Sequence, residues 1–215
     1  MSLPKVTAVF LAAGKSRRMG KNKLNLPLGR STIGSVSLWA AFESNLEHIL
    51  VVTRQDDSLE WMDRSFFQQP FRANWSQVRC NDAEKGQGHS LKCGVQAALN
   101  RQPNAIMVLL ADQPFLSAKI ISELISYGER FADQRGTHEL AYIAASFQNI
   151  PRPPVLFFHR FCQKLLKLSG DEGARRLLKN ASTLKGLLVE MTDEKVLFDI
   201  DTIEDYRAAI NKGWH

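Results

Sequence analysis

Five of the last nine residues in the stretch LAAGKSRRMGKNK, Leu11 to Lys23, are lysine or arginine, and they follow the small residues Ala12, Ala13 and Gly14. Small side chains let a base or a phosphate approach the backbone, and flexible cations such as Arg18 and Lys23 neutralise what is brought there. That combination suits a triphosphate. A run of charge is more often solvated surface, but its place straight after an apolar run and beside small residues argues for function here. A second chemical position ends the most hydrophobic stretch of the chain, AIMVLLADQP, at Asp112. Pro114 cannot continue a sheet ladder, and an acid at the end of a central strand stands at the edge where open α/β sheets take ligands. Two more carboxylates, Asp199 and Asp201, alternate in DIDT, and a glycine loop, EKGQGHS, lies between them and the first motif.

These residues need elements to hold them. KVTAVFLAA reads as a buried first strand ending at Gly14, rather than as a secretory leader, because Thr7 interrupts it and basic residues follow. A helix is predicted over Ser31–Ser44, a strand over His48–Thr53, a short strand over Ser76–Cys80, and an amphipathic helix from His89 to about Arg101. The Asp56–Asn74 segment, aromatic and charged without clear period, is left unassigned. After the Ala105–Asp112 strand come a helix over Ser117–Phe131, strands ELAYIAASF and PPVLFF with a proline loop between them, and a helix over Gly170–Asn180. The chain then ends in a strand KVLFDI, a turn and a helix IEDYRAAINK. Strands alternating with helices at this spacing imply βαβ units, an α/β class and a mainly parallel sheet in one domain over residues 1–215.

Composition narrows the possibilities. The chain has 215 residues, 44% of them hydrophobic and 23% charged, with a net charge of +6 that favours anionic partners. No apolar run approaches the roughly 18 residues of a membrane span. Cys80, Cys93 and Cys162 are odd in number and far apart, so neither a disulfide framework nor a zinc site is expected, and a reducing cytoplasm fits. The five histidines have no H-E-x-x-H spacing. Nucleic-acid binding is disfavoured, since the cations gather in one loop without interleaved aromatics. The sequence GKS at Gly14–Ser16 invites a P-loop reading, but the position five residues earlier, where that motif needs glycine, is Val9. No G-x-G-x-x-G follows the first strand either.

LAAGKSRRMGKNKLNLPLG resembles the opening motif of the MobA-like nucleotidyltransferases, in particular the molybdenum cofactor cytidylyltransferase branch. GQGHSLKCGV, LLADQPFL, PPVLFFHRFCQKLLKLSGDEGARRLL and FDIDTIEDY agree in order, so the resemblance runs from Val6 to Tyr206. Within that branch the chain is most similar to accessory proteins of purine catabolism that serve xanthine dehydrogenase. It departs from the pattern at His89, where small residues are usual, and at Ile203, where proline is usual.

The resemblance implies a three-layer Rossmann-like nucleotidyltransferase fold with a mainly parallel mixed sheet. It also implies transfer of CMP from CTP to molybdopterin, with Mg2+ or Mn2+ as cofactor and transient contact with a molybdoenzyme. In that reading Arg18, Lys23 and Asp112 are the catalytic residues. Leu11, Ala12, Ala13, Gly14, Lys23, Gly88 and Ser90 bind the nucleotide; Pro153, Pro154, Asp171 and Arg175 line the acceptor side; and the metal carboxylates are Asp112 with Asp199 or Asp201. Asp201 is equally readable as the N-cap of the last helix, and His89 as a loop residue without a proton to move. Guanylyl-transferring relatives have Leu-Ala-Gly-Gly where this chain has Leu-Ala-Ala-Gly, so the Ala13 methyl is the feature that would favour a pyrimidine. The competing readings are the same fold acting on a sugar phosphate or another phosphorylated acceptor, and a molybdopterin carrier without catalysis.

Overall fold

Every residue of Val6–Leu11 is buried, the signature of a strand with both faces covered, and in the computed structural model of the chain this strand, β1, is the central one. The structure describes residues 5–132, 140–167, 178 and 185–211. β1 pairs in parallel with β4 (His48–Arg54) on one side and β6 (Ala105–Leu110) on the other, and β5 (Trp75–Cys80) adds in parallel to β4. Beyond β6 the direction changes. β8 (Ile150–Phe158) is antiparallel to both β6 and β7 (Leu140–Phe147), and β9 (Lys185–Glu190) runs parallel to β7 at the edge. The seven-stranded order is β5-β4-β1-β6-β8-β7-β9. The sheet is mixed and mostly parallel, as expected.

Alternation along β1 sends neighbouring side chains into different cores. Phe10 packs with Ile33, Leu38 and Trp61 on the side of α1 (Ile33–Phe42) and α3 (Ala118–Ala132). Val9 packs with Leu91, Val95 and Leu165 on the side of α2 (Gln87–Leu99) and α4 (His159–Leu165). Helices therefore cover both faces, giving three layers. A small ribbon, β2 (Pro27–Leu28) with β3 (Ser31–Thr32), joins the first loop to α1, and α5 (Ile203–Asn211) closes the described chain. None of the described helices is long and apolar enough to cross a membrane.

Three expectations need correction. The prolines expected in a loop belong to β8. The turn is only Gln148–Asn149, with φ of 52° and 61°, and a register shift at Ala144/Ala145 breaks the ladder beside Pro153 and Pro154, where prolines have no amide to donate. KVLFDI is not a strand: Asp193 accepts from the Lys195 amide at 2.9 Å and starts a 3-10 turn at Glu194–Leu197. The edge strand in this region is Lys185–Glu190, whose alternation is too short and polar to stand out in the sequence. The unassigned Asp56–Asn74 segment folds as two 3-10 turns, Arg64–Phe67 and Phe71–Asn74, around stacked aromatics. There Phe66 lies 4.5 Å from Trp39 and 4.9 Å from Phe42, ring to ring. The helix expected over Gly170–Asn180 lies outside the described residues apart from Leu178.

His48 opens β4, with Nε2 3.0 Å from Ser76 Oγ. Burial, with the Arg101 charge adding to it, pushes its pKa down from 6.5 to about 4. The unfolded chain therefore takes up a proton that the fold excludes, so this contribution to stability is complete above the unfolded value and is lost as pH falls toward the folded one. Denaturant melts near pH 7 and near pH 5 should show a smaller acid-dependent loss in His48→Gln than in the unaltered protein; equal losses would remove His48 from the acid response.

Candidate active site

Because β1, β4 and β6 are parallel, their carboxyl ends meet at one edge of the sheet, the edge where ligands bind in open α/β folds. The chain leaving β1 stays attached there, with Ala12 donating to the Val52 carbonyl at 2.8 Å. It then bends sharply: Ser16 is left-handed at φ 47° and Gly20 at φ 66°. The Ser16 hydroxyl accepts from the Lys23 amide at 3.0 Å, which folds the loop back on itself. Asn22 caps the following 3-10 turn by accepting from the Leu24 amide at 3.1 Å. The backbone of Lys23 is thus held from both sides.

From that anchor the Lys23 side chain, only 9% exposed, donates to Asp112 Oδ2 at 2.5 Å and to Asp201 Oδ1 at 2.8 Å. Arg18, largely in solvent, reaches the other oxygen of Asp201 at 3.8 Å. Asp112 stands two residues past Leu110, the end of β6, and its carbonyl accepts from the Ile200 amide at 3.0 Å, which ties the segment before α5 to the strand end. The cap of α5 is Thr202: its hydroxyl accepts from the Asp205 amide at 3.1 Å, and Asp205 accepts from the Thr202 amide at 2.8 Å. This reciprocal capping box starts α5, and the Asp201 carboxylate pairs with Lys23 and Arg18. Asp199 is half-buried and does not line the cleft.

Burial alone would lower the Lys23 pKa, but the charge and hydrogen bonds of Asp112 and Asp201 outweigh it and hold the value above the usual 10.5. Lys23 is a permanent cation here. Its contribution to stability is complete below the ordinary lysine range and fades only as pH rises through its raised value.

The cleft these residues border encloses about 470 Å³. Leu11, Ala12, Ala13 and Gly14 line it together with Arg18, Lys23, Asp112 and Asp201. Residues 83–87 and Ser90 complete the lining. Gly86 is the N-cap of α2 at φ +119°, a backbone angle that favours glycine, and no side chain caps the helix. The start of a 13-residue helix therefore faces the cleft and suits an anion. The sequence shows Gly86 and Gln87 only as part of the EKGQGHS glycine loop and points to Gly88 and Ser90 for the nucleotide; Gly88 is buried in the same turn and does not line the cleft, whereas Ser90 does. His89 sits in the first turn of α2, not in a loop, and is also absent from the cleft lining.

Pro153 and Pro154 are buried in β8 at the same sheet edge. They connect to the site through Gln113, a fully buried amide that donates to the Pro153 carbonyl at 3.2 Å and the Leu197 carbonyl at 3.4 Å. The sequence showed Gln113 only as part of a turn. Asp171 and Arg175 lie outside the described residues.

The carboxylates fit a hard divalent cation. Asp112 and Asp201 present one oxygen each across a gap already filled by a single positive charge, and Mg2+ is commonly held by one or two carboxylates with substrate phosphates completing the shell. Among the described residues no group of three or more His, Cys, Asp or Glu side chains could hold a metal by itself.

Residues 8–185 match the family described as MobA-like NTP transferase domain. The chain is 44% identical over 208 residues to purine catabolism protein PucB of Bacillus subtilis (strain 168), covering 96% of each. It is 27% identical over 214 residues to nicotine blue oxidoreductase of Paenarthrobacter nicotinovorans, covering 94% of this chain and 95% of that one. Among solved structures, a nucleotidyl transferase from Methanothermobacter thermautotroptrophicus superposes with a TM-score of 0.71 at 18% identity, over 97% of both chains. At that identity the likeness is one of fold.

Proposed function

We propose, from the premise that this chain belongs to the MobA-like NTP transferase family, that it moves CMP from CTP to molybdopterin, releases pyrophosphate, and supports maturation of a xanthine dehydrogenase-type molybdoenzyme. The observation that carries the reading is the placement of Lys23 between Asp112 and Asp201, in a cleft also lined by Leu11–Gly14 and the start of α2. The likeness to a purine catabolism protein supports the xanthine dehydrogenase part of the proposal.

In the proposed reaction a phosphate oxygen of the acceptor attacks the α-phosphorus of CTP, a new P–O bond forms, the bond from the α-phosphorus to the bridging oxygen breaks, and pyrophosphate leaves. The attacking phosphate is already ionised near neutral pH, so no side chain has to remove a proton. What the protein supplies is alignment and positive charge. Lys23 and Arg18 neutralise the phosphates, and the amides of the α2 N-terminus, which also lines the cleft, receive the same charge. Mg2+ or Mn2+ held by Asp112 and Asp201 would add further neutralisation between the phosphates. Asp199 is left outside this assignment. Pro153 and Pro154 are assigned to the acceptor side, a role the family resemblance also gives to Asp171 and Arg175.

Ala13 carries the preference for cytosine. It lines the cleft and is 95% buried, so its methyl takes space that a purine would need. Ala13→Gly should raise GTP use relative to CTP by about tenfold, the scale of one methyl in a pocket. An unchanged ratio of kcat/KM for the two nucleotides would remove Ala13 from base selection.

The test of the whole reading is pyrophosphate release by the pure protein with molybdopterin, magnesium and each of CTP, GTP, ATP and UTP. Release that needs both CTP and molybdopterin supports it. No release with any of the four overturns it and directs the search to other phosphorylated acceptors or to a carrier role.

A further inference from the structure

Each cation at the site is committed to a carboxylate. Lys23 bridges Asp112 and Asp201, Arg18 leans on Asp201, and these two positive and two negative charges cancel. A triphosphate entering this arrangement would meet the Asp112 and Asp201 charges with no net positive charge from the four groups to offset them. A divalent cation has its own difficulty. It must come within about 2.0–2.6 Å of the carboxylate oxygens, and the Lys23 nitrogen already stands 2.5 Å and 2.8 Å from one oxygen of each carboxylate. Both cations cannot hold that position together.

We propose that Lys23 is the resident occupant of the divalent-cation position, bridging Asp112 and Asp201 in the nucleotide-free protein and exchanging from the carboxylates to the phosphates when metal and nucleotide enter together. The inference rests on the nucleotidyl-transfer reading of the site. The geometry permits the exchange without moving the loop. The Lys23 backbone is fixed by Ser16 and by the turn that Asn22 caps, while the side chain that must move is a long stem with rotatable bonds beside the cleft. Asp201 is 51% exposed and Asp112 20%, so solvent can reach the pair as the ammonium leaves. Two consequences follow. The empty protein binds metal weakly, because the ion must displace an internal cation. Metal and nucleotide favour each other's binding beyond direct chelation, because the phosphates give the displaced ammonium a new partner.

The experiment is titration of the nucleotide-free protein with Mn2+, reading free ion by electron paramagnetic resonance. Lys23→Met is expected to bind one Mn2+ at least about tenfold more tightly than the unaltered protein. Lys23→Met combined with Asp112→Asn should lose that gain, which locates the ion at this pair. If Lys23→Met does not fold, Lys23→Gln, whose amide still donates to a carboxylate, carries the same comparison. Equal Mn2+ affinity in the folded variant and the unaltered protein overturns the proposal, as does a gain that survives Asp112→Asn. These outcomes are separate from failure of the functional reading: a protein that releases pyrophosphate but shows no Lys23-dependent change in Mn2+ affinity keeps its reaction and loses the exchange.

Discussion

Asp112→Asn is expected to slow nucleotidyl transfer by about 10²–10³-fold while the fold stays in place, the scale seen when one preorganised charge-stabilising group is removed from an active site. The substitution is nearly isosteric. Asn can still accept the Lys23 hydrogen bond through its carbonyl oxygen, and the backbone bond from the Ile200 amide to the residue 112 carbonyl does not involve the side chain. What disappears is the negative charge, and with it a ligand for a hard cation. Turnover measured by pyrophosphate release, beside a thermal melt, separates the two effects. An Asp112→Asn protein that turns over at the normal rate defeats the assignment, whereas one that melts early would trace the loss to the fold. Asp199→Asn belongs in the same series. Because Asp199 does not line the cleft, it should keep near-normal turnover where Asp201→Asn does not.

Gly94→Val is expected to cost roughly 3 kcal/mol of stability, at the upper end for overpacking, and to weaken nucleotide binding with it. A Cβ at position 94 would lie 2.4 Å from Val9 Cγ1 and 2.7 Å from Val52 Cγ2. Both valines are fully buried at the centre of β1 and β4, and β-branched side chains have little χ1 freedom with which to yield. Helix α2 must therefore lift from the sheet. The gain in helix propensity on replacing glycine is under about 1 kcal/mol and does not offset this. Lifting α2 also moves Gly86, Gln87 and Ser90, which wall the cleft. A fall in Tm together with a raised KM for the nucleoside triphosphate is the expected pair of results. A Tm within a degree or so of the unaltered protein would mean that the packing against Val9 and Val52 is looser than the distances imply.

The elements around the first half of the site were legible because their signals are local. An apolar run as buried as Val6–Leu11 reads as a strand, the Ala105–Leu110 run reads as its neighbour, and Asp112 followed by Pro114 marks where that strand must stop. The motifs that carry the family resemblance were legible for the same reason: each is a run of adjacent residues. The later part of the chain was read less well. Prolines at 153 and 154 signal a loop to any local rule, and only the irregular ladder at Ala144/Ala145 shows why a strand tolerates them. The edge strand Lys185–Glu190 has few buried residues, so its pairing with β7, and not its own composition, makes it a strand.

The sequence by itself determined the α/β class, the glycine loop with Arg18 and Lys23, and Asp112 as an acid at a sheet edge, since each depends on residues close together in the chain. It left Asp199 and Asp201 equal, because alternate positions in DIDT look alike until something faces them. The tertiary structure distinguishes their surroundings by bringing Lys23 to Asp112 across 89 residues and to Asp201 across 178. It also turned Gln113 from a turn residue into a buried clamp on β8, and assigned the cap of α5 to Thr202 and Asp205. Side-chain partners so distant along the chain are set by where parallel strands end in space, and no pattern within a window of sequence records that.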